Sequence, residues 1–385
     1  MSKTDFTAEE FDNRRRRVRD AVKTAGLDWM ILFHPVSIHW LTGSDAKGFQ
    51  AFQCLLVSAA DGRLVMFTRE SERAEVQDDA LYDELLIWGG PEPEDPVTAL
   101  DGHLKRLGVI GKRVGMEVPA YYLHAAHYGR MKAMLGASLV AEPSNLVHDL
   151  KLVKSEAELG YIREAARIND KTIDTLRQEL RPGRSELDVV AEILKTMLVS
   201  GGGFPPTPPN FVSGPRASFS HGAPTARLLQ RGDTGNAEYC STYKRYASSI
   251  GRQFTIGPPS KRLSELFAIM RAAGDACIAA IRDGVPAIEP HNAAKRVMSE
   301  HGTDRYRVHL TGYGLAPAVP PATAEPVSLF GDSRYVLKAG MVLSICPPLF
   351  IAQEKIGVRL GDNVLVTANG CERLSKQPRD LIVID

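Results

Sequence analysis

Apolar positions along this chain change their period several times, and each change marks an element. Residues 7–25 place Phe11, Val18, Val22 and Ala25 near helical spacing, with Gly26 as the stop. Short strand-like runs follow at residues 29–33, 52–58 and 63–67, then an acidic helix, then runs near 85–88, 114–118 and 139–140. That alternation predicts an α/β domain over residues 1–149. Beyond Glu142–Asp149 the pattern lengthens. Ser155 stands three residues before Glu158, the form of a capping box, and Leu159, Ile162, Ala166, Ile173 and Leu176 give the following helix one apolar stripe. A second helix is predicted at 185–199 and another pair at 261–283 and 287–300. Residues 150–385 therefore read as a second domain in which two helix pairs alternate with two strand sets, an α+β arrangement within an overall α/β chain.

Two stretches between these helices break the regular pattern. GGGFPPTPPNF, residues 201–211, is too rich in Gly and Pro for an element interior and reads as a loop over a site. Residues 236–242 and 246–256 are rich in β-branched and aromatic side chains and, joined by Tyr243-Lys244-Arg245, predict a β-hairpin.

Composition narrows the function classes. Forty-seven Lys and Arg against 46 Asp and Glu give a formal net charge of +1, which leaves no electrostatic footprint for nucleic acid or an anionic membrane. A small-molecule partner is expected instead. No apolar run reaches membrane-span length, and the start MSKTDFTAEEFDNRRRRVRDAV lacks the apolar core of a signal peptide. Cysteines 54, 240, 277, 346 and 371 are scattered and show no CxxC spacing, so reduced thiols in a cytoplasmic protein are expected. The basic run Arg14–Arg17 falls in an amphipathic helix and reads as a solvated face.

The hairpin carries the strongest family signal. Its Gly-Asp start, the strand with Glu238, and Ser249 and Arg252 at fixed distance resemble the superfamily of methionine aminopeptidase, aminopeptidase P and creatinase, the pita-bread fold. The Tyr243–Tyr246 form resembles the ectoine hydrolase branch. Further matches follow: Ser220-His221-Gly222; His309-Leu310-Thr311-Gly312-Tyr313-Gly314; Gly340-Met341-Val342 through Cys346-Pro347; and Gly357-Val358-Arg359-Leu360-Gly361-Asp362-Asn363, read as one last strand. Trp40–Gly43 and the stretch containing Phe49 resemble the amino-terminal domain of creatinase-like proteins, where a neighbouring subunit's loop closes the active site. As residues alone, Trp40 and Phe49 also read as core aromatics.

At the five positions that hold two divalent ions in the family's metallopeptidases, this chain carries Glu238, Ser249, Tyr313, Cys346 and Gly361. A hard divalent ion needs several oxygen ligands, and one carboxylate does not supply them. A zinc site of Glu238, Cys346 and His309 is chemically conceivable, but nothing in their spacing supports it. The resemblance thus implies a metal-independent, cofactor-free homodimer related to creatinase and ectoine hydrolase, cleaving a C–N bond of a small carboxylated nitrogen compound. Yet the two creatinase catalytic glutamates fall at Gly251 and Cys346, and the ectoine hydrolase nucleophile has no evident counterpart.

Expected roles follow from the residue types. His221 matches the creatinase acid and base, and an imidazole exchanges protons near neutrality. Glu238 would serve as base or anchor, Tyr313 as donor to a developing oxyanion, and Cys346 as a nucleophile or a plain buried hydrophobe. Arg252 and Arg359 would clamp a substrate carboxylate, or else serve as structural partners of Glu238 or of the strand ends, with Arg245, Tyr246, His309 and Phe49 completing the substrate pocket. Two other readings remain open: a lyase, cyclase or decarboxylase using the same acid–base pair, and a binding protein that has lost catalysis.

Overall fold

The structure, a computed structural model, describes residues 2–385, with 316, 322 and 323 described by backbone alone. The chain divides into two compact units, the first ending at Lys151 and the second running Leu152–Asp385.

In the first unit the chain runs α1 (Ala8–Thr24), β1 (Trp29–Leu32), α2 (Pro35–Thr42), β2 (Cys54–Ser58), β3 (Leu64–Arg69), α3 (Arg73–Asp79), β4 (Glu84–Trp88), α4 (Pro96–Arg106), β5 (Val114–Met116), α5 (Ala125–Leu135), β6 (Leu139–Ala141) and α6 (Leu146–Lys151). The six strands form one sheet in the order β4-β3-β2-β1-β5-β6, with apolar clusters on both faces. Helix α2 has no polar face: all eight of its residues are buried, so hydrophobic periodicity gives it no signature. Its start is fixed by the buried carboxylate of Glu117, which accepts from Phe33 N at 2.9 Å, His34 N at 2.7 Å and Ser37 Oγ at 2.8 Å.

The second unit begins with α7 (Glu156–Glu179) and α8 (Glu186–Val199). The Ser155–Glu158 capping box forms as expected, and Ser185 and Asp188 make a second one at α8. Then come β7 (Asn210–Ser213), β8 (Thr234–Tyr243), β9 (Tyr246–Ile256), α9 (Lys261–Ala279), α10 (Ile288–Glu300), β10 (Gly312–Val319), β11 (Ala322–Leu329), β12 (Val342–Ile345), β13 (Leu349–Ile351), β14 (Ile356–Val358), β15 (Asp362–Val366), β16 (Cys371–Arg373) and β17 (Ile382–Ile384). Nine of these strands make one sheet: β16-β15-β12-β10-β9-β8-β7, with β11 beside β10 and β17 beside β9. Helices α7 and α8 pack on Ala237, Tyr239, Ile250 and Phe254 of β8 and β9, while α9 and α10 pack on Leu343, Ile345 and Val364 of β12 and β15. Among the described residues, no helix is long and apolar enough to cross a membrane.

The hairpin turn is tighter than the sequence suggests. Tyr243 pairs with Tyr246, leaving Lys244 (φ 47°) and Arg245 (φ 63°) as a two-residue turn with both φ positive. A second difference matters more for the site. The stretch 357–363, expected as one strand, is two: β14 pairs with β13, and β15 pairs with β12 and β16. The break at Arg359-Leu360-Gly361 is held by an isolated bridge in which Gly251 N donates to Gly361 O at 3.1 Å and Gly361 N donates to Gly251 O at 3.0 Å.

Candidate active site

Side chains alternate across β8 and β9, and this alternation builds the site. Ala237, Tyr239, Ile250 and Phe254 serve the helix-side core. Glu238 and Cys240, with Ser249 opposite Cys240, fall on the other face and floor a cavity of about 460 Å³. Tyr313 and Leu315 of β10 extend that floor, Thr207-Pro208-Pro209-Asn210 covers one side, and His221 and Ala223 close another. The Gly- and Pro-rich segment thus does lie over the cavity.

His221 is exposed on the wall, but its loop is fixed on both sides. Ser220 O accepts from Arg359 Nη2 at 2.6 Å, and Gly222 O accepts from Phe211 N at 2.9 Å. A side chain at 222 would put a Cβ 2.2 Å from Val212 Cγ1, so only glycine permits this approach to β7. Behind the loop, the buried Glu186 gathers Ser213 Oγ (2.6 Å), Arg216 Nη1 (2.8 Å) and the Thr225 N–H (2.9 Å). The His221 ring lies 5.7 Å from that of His309, which lies 6.3 Å from that of Tyr313. Partial burial, with help from the Arg359 charge, moves the His221 imidazole below its ordinary value, against the opposing pull of Glu238.

Glu238 Oε2 accepts from Asn210 Nδ2 at 3.0 Å and pairs with Arg359 Nη1. Burial, followed by the Glu238 charge, drives the Tyr313 phenol well above its ordinary value, so Tyr313 enters neutral chemistry as an O–H donor.

Other expected site residues are placed differently. Arg359 is not a free carboxylate clamp: its two Nη atoms are committed to Glu238 and Ser220, and its guanidinium sits 5.3 Å from the centre of the Phe350 ring. Arg252 is wholly buried on the opposite face, donating to Gly251 O and Gly361 O, both at 2.8 Å, and to Asp362 Oδ1 at 3.1 Å. Arg245 sits in the hairpin turn and Tyr246 donates its hydroxyl to Glu158 Oε1 at 2.8 Å; neither lines the cavity. Phe49 belongs to the first unit, its ring 5.5 Å from that of Tyr122. Cys346 is buried and its thiol is pushed up to about 12, by burial first and the Glu238 charge second. That is the environment of a small apolar residue and argues against the nucleophile role.

Several lining residues were missed as site residues, Asn210 and Ser249 among them. Asn210 lies in the stretch 201–211 singled out in the sequence, but its partnership with Glu238 depends on β7 pairing beside β8, which no local pattern reveals. Ser249 was noted only as a lost ligand position. It lines the cavity, with its N–H held by Asn363 Oδ1 at 2.6 Å.

The donor set does not fit a dinuclear metal centre. No three His, Cys, Asp or Glu side chains among the described residues are grouped to hold an ion. A cation, the Arg359 guanidinium, already occupies Glu238. At Gly361 even a Cβ would come within 2.9 Å of Gly251 N, so the position has no space for a carboxylate side chain without moving backbone.

The first unit with its six-stranded sheet, followed by a nine-stranded sheet backed by two helix pairs and carrying a cavity on its other face, defines the creatinase-like, pita-bread class of α/β proteins. The chain belongs to metallopeptidase family M24, a family of hydrolases: that family matches residues 160–368, and the creatinase/prolidase N-terminal domain matches residues 14–153. It is 29% identical over 396 residues to the uncharacterized hydrolase/peptidase y4tM of Sinorhizobium fredii, covering 99% of each chain. To the ectoine hydrolase of Halomonas elongata it is 27% identical over 410 residues, covering 98% of each. Among solved structures it is similar to the Xaa-Pro dipeptidase from Bacillus anthracis, with a TM-score of 0.83 and 26% identity over 97% of this chain and 100% of that one.

Proposed function

We propose that this chain is a hydrolase that cleaves a C–N bond of a small nitrogenous compound without a divalent metal, with His221 as acid and base. One observation carries the reading. His221, Glu238 and Tyr313 line a single cavity, while the positions that would complete a metal centre hold Ser249, Cys346 and Gly361. A lowered imidazole value favours the base form at neutral pH. In the proposed reaction His221 takes a proton from water as the water oxygen bonds to the substrate carbon. The C–N bond then breaks with its electron pair leaving on nitrogen, and His221 returns the proton there. The Tyr313 hydroxyl donates to the atom on which negative charge develops. Glu238, held through Oε2, presents a carboxylate to a substrate N–H.

A cavity of about 460 Å³ suits a small molecule. The expected substrate carboxylate finds no support, because the described lining residues include no arginine or lysine. The relatives named ectoine hydrolase and Xaa-Pro dipeptidase set the compounds to assay. Purified protein is analysed for metal and then incubated with ectoine-like and creatine-like compounds and Xaa-Pro dipeptides, with chelator or with added Mn²⁺. The expected result is turnover unaffected by chelator and lost in His221→Ala. Turnover of a Xaa-Pro dipeptide that requires Mn²⁺ would overturn the reading. A homodimer, which the family resemblance implies, belongs to the same proposal.

A further inference from the structure

We infer that Arg359 is a positioning residue that couples Glu238 to His221, using one guanidinium to set where the acid and the imidazole stand in the cavity. This deepens the reading of His221 as acid and base, and its kinetic part rests on that reading. Two hydrogen bonds carry it. Arg359 Nη1 holds the Glu238 carboxylate on β8, and Nη2 donates at 2.6 Å to Ser220 O, the carbonyl immediately before His221. Only 2% of the Arg359 side chain is exposed. Its own backbone is fixed as well, because Arg359 N donates to Gln253 Oε1 at 3.1 Å. The strand interruption between β14 and β15 leaves this residue in the connection, where it reaches Glu238 on the floor and Ser220 on the wall.

Geometry separates this role from general packing. Gly222, on the other side of His221, is anchored by a backbone bond from Phe211 that no side-chain substitution removes. Loss of Arg359 therefore frees one end of the His221 peptide and leaves the other in place. A planar fork is required to serve both acceptors, since a lysine ammonium is a single point on a flexible stem. Asn210 supplies an internal control: it donates to the same Glu238 oxygen but makes no side-chain bond to the 220–222 loop.

The test uses the full-length protein and the variants Arg359→Met, Arg359→Lys and Asn210→Ala, each checked for folding by circular dichroism and melting. The first readout is the NMR resonance of the His221 imidazole, assigned by its loss in His221→Gln and followed against pH, which requires no turnover. Charged and titratable groups facing that ring are Arg359, Glu238 and His309. Arg359→Met is expected to move the resonance and raise its titration midpoint, Arg359→Lys to show the same change in smaller degree, and Asn210→Ala to leave it in place. Once a substrate is known, Arg359→Met should lose about 10²-fold in kcat with KM little changed, the scale of a displaced catalytic group, and added guanidinium ion should restore part of the loss. An unmoved His221 resonance in folded Arg359→Met, or an equal shift in Asn210→Ala, would overturn the inference. If the resonance responds as expected while no C–N hydrolysis is found, the proposed reaction fails and the coupling stands.

Discussion

Adding one methyl group at Gly361 tests the close approach that separates this cavity from a metal centre. An alanine Cβ there would lie 2.9 Å from Gly251 N and 3.3 Å from Gly251 Cα, both backbone atoms, and 3.5 Å from Cys346 Sγ. No flexible side chain can swing aside, so the bridge between the two glycines must open. Overpacking of this kind costs about 1–3 kcal/mol, partly offset by about 0.4–1 kcal/mol from the lower entropy of the unfolded chain. The net loss is about 1–2 kcal/mol, or roughly 2–8 °C in Tm for a unit of this size. Differential scanning calorimetry of Gly361→Ala measures it. Gly251→Ala is the informative partner: its Cβ would meet Gly361 N at 3.0 Å and Arg359 Cγ at 3.0 Å. It should destabilise to a similar extent and also displace the arginine that holds Glu238. Gly361→Glu, which restores a family ligand type, should lower Tm without gaining stoichiometric Mn²⁺ in equilibrium dialysis. An unchanged or raised Tm in Gly361→Ala, or tight Mn²⁺ binding by Gly361→Glu, would refute the steric argument.

Two further outcomes follow from titrating groups. Cys346→Ser should change kcat less than about 3-fold, because a thiol pushed up to about 12 is almost wholly protonated at neutral pH; a fall of about 10³-fold would reinstate the nucleophile. In the first unit, burial with a smaller contribution from the Lys151 charge lowers His34 to about 3, so between the unfolded value of about 6.5 and 3 the unfolded chain holds the extra proton. Stability from this group is complete above about 6.5 and is lost as pH falls through that window, by up to about 1.4 kcal/mol per pH unit. Urea midpoints at successive pH values should show that slope and His34→Gln should flatten it; equal slopes in the two proteins would exclude His34 as the source.

The sequence carried the parts of the fold that have local signatures. The Ser155 capping box, the hairpin over Glu238 and the helix pairs are visible because caps, strand alternation and amphipathic stripes act within a few residues. Helix α2 was invisible for the opposite reason, having no polar face. The site followed the same division. Glu238, His221 and Tyr313 were found by register with family motifs, and their convergence on one cavity is a tertiary fact. For the arginines the sequence could not choose between a substrate clamp and a structural partner, because a guanidinium's partners come from remote segments: Arg252 is taken up by Gly361 and Asp362, and Arg359 by Glu238 and Ser220. A strand pattern that ran unbroken through 357–363 also concealed the turn that sends Arg359 toward the cavity.

The short connection between β14 and β15 has a consequence for how this molecule can vary. Arg359 serves the cavity, while Asp362, three positions on, meets Arg252 and Arg379 behind the sheet. Both tasks are set by one count of residues, so a single deletion between them would pull the two anchors out of step together. Change in this segment is confined to exchanging side chains at constant length.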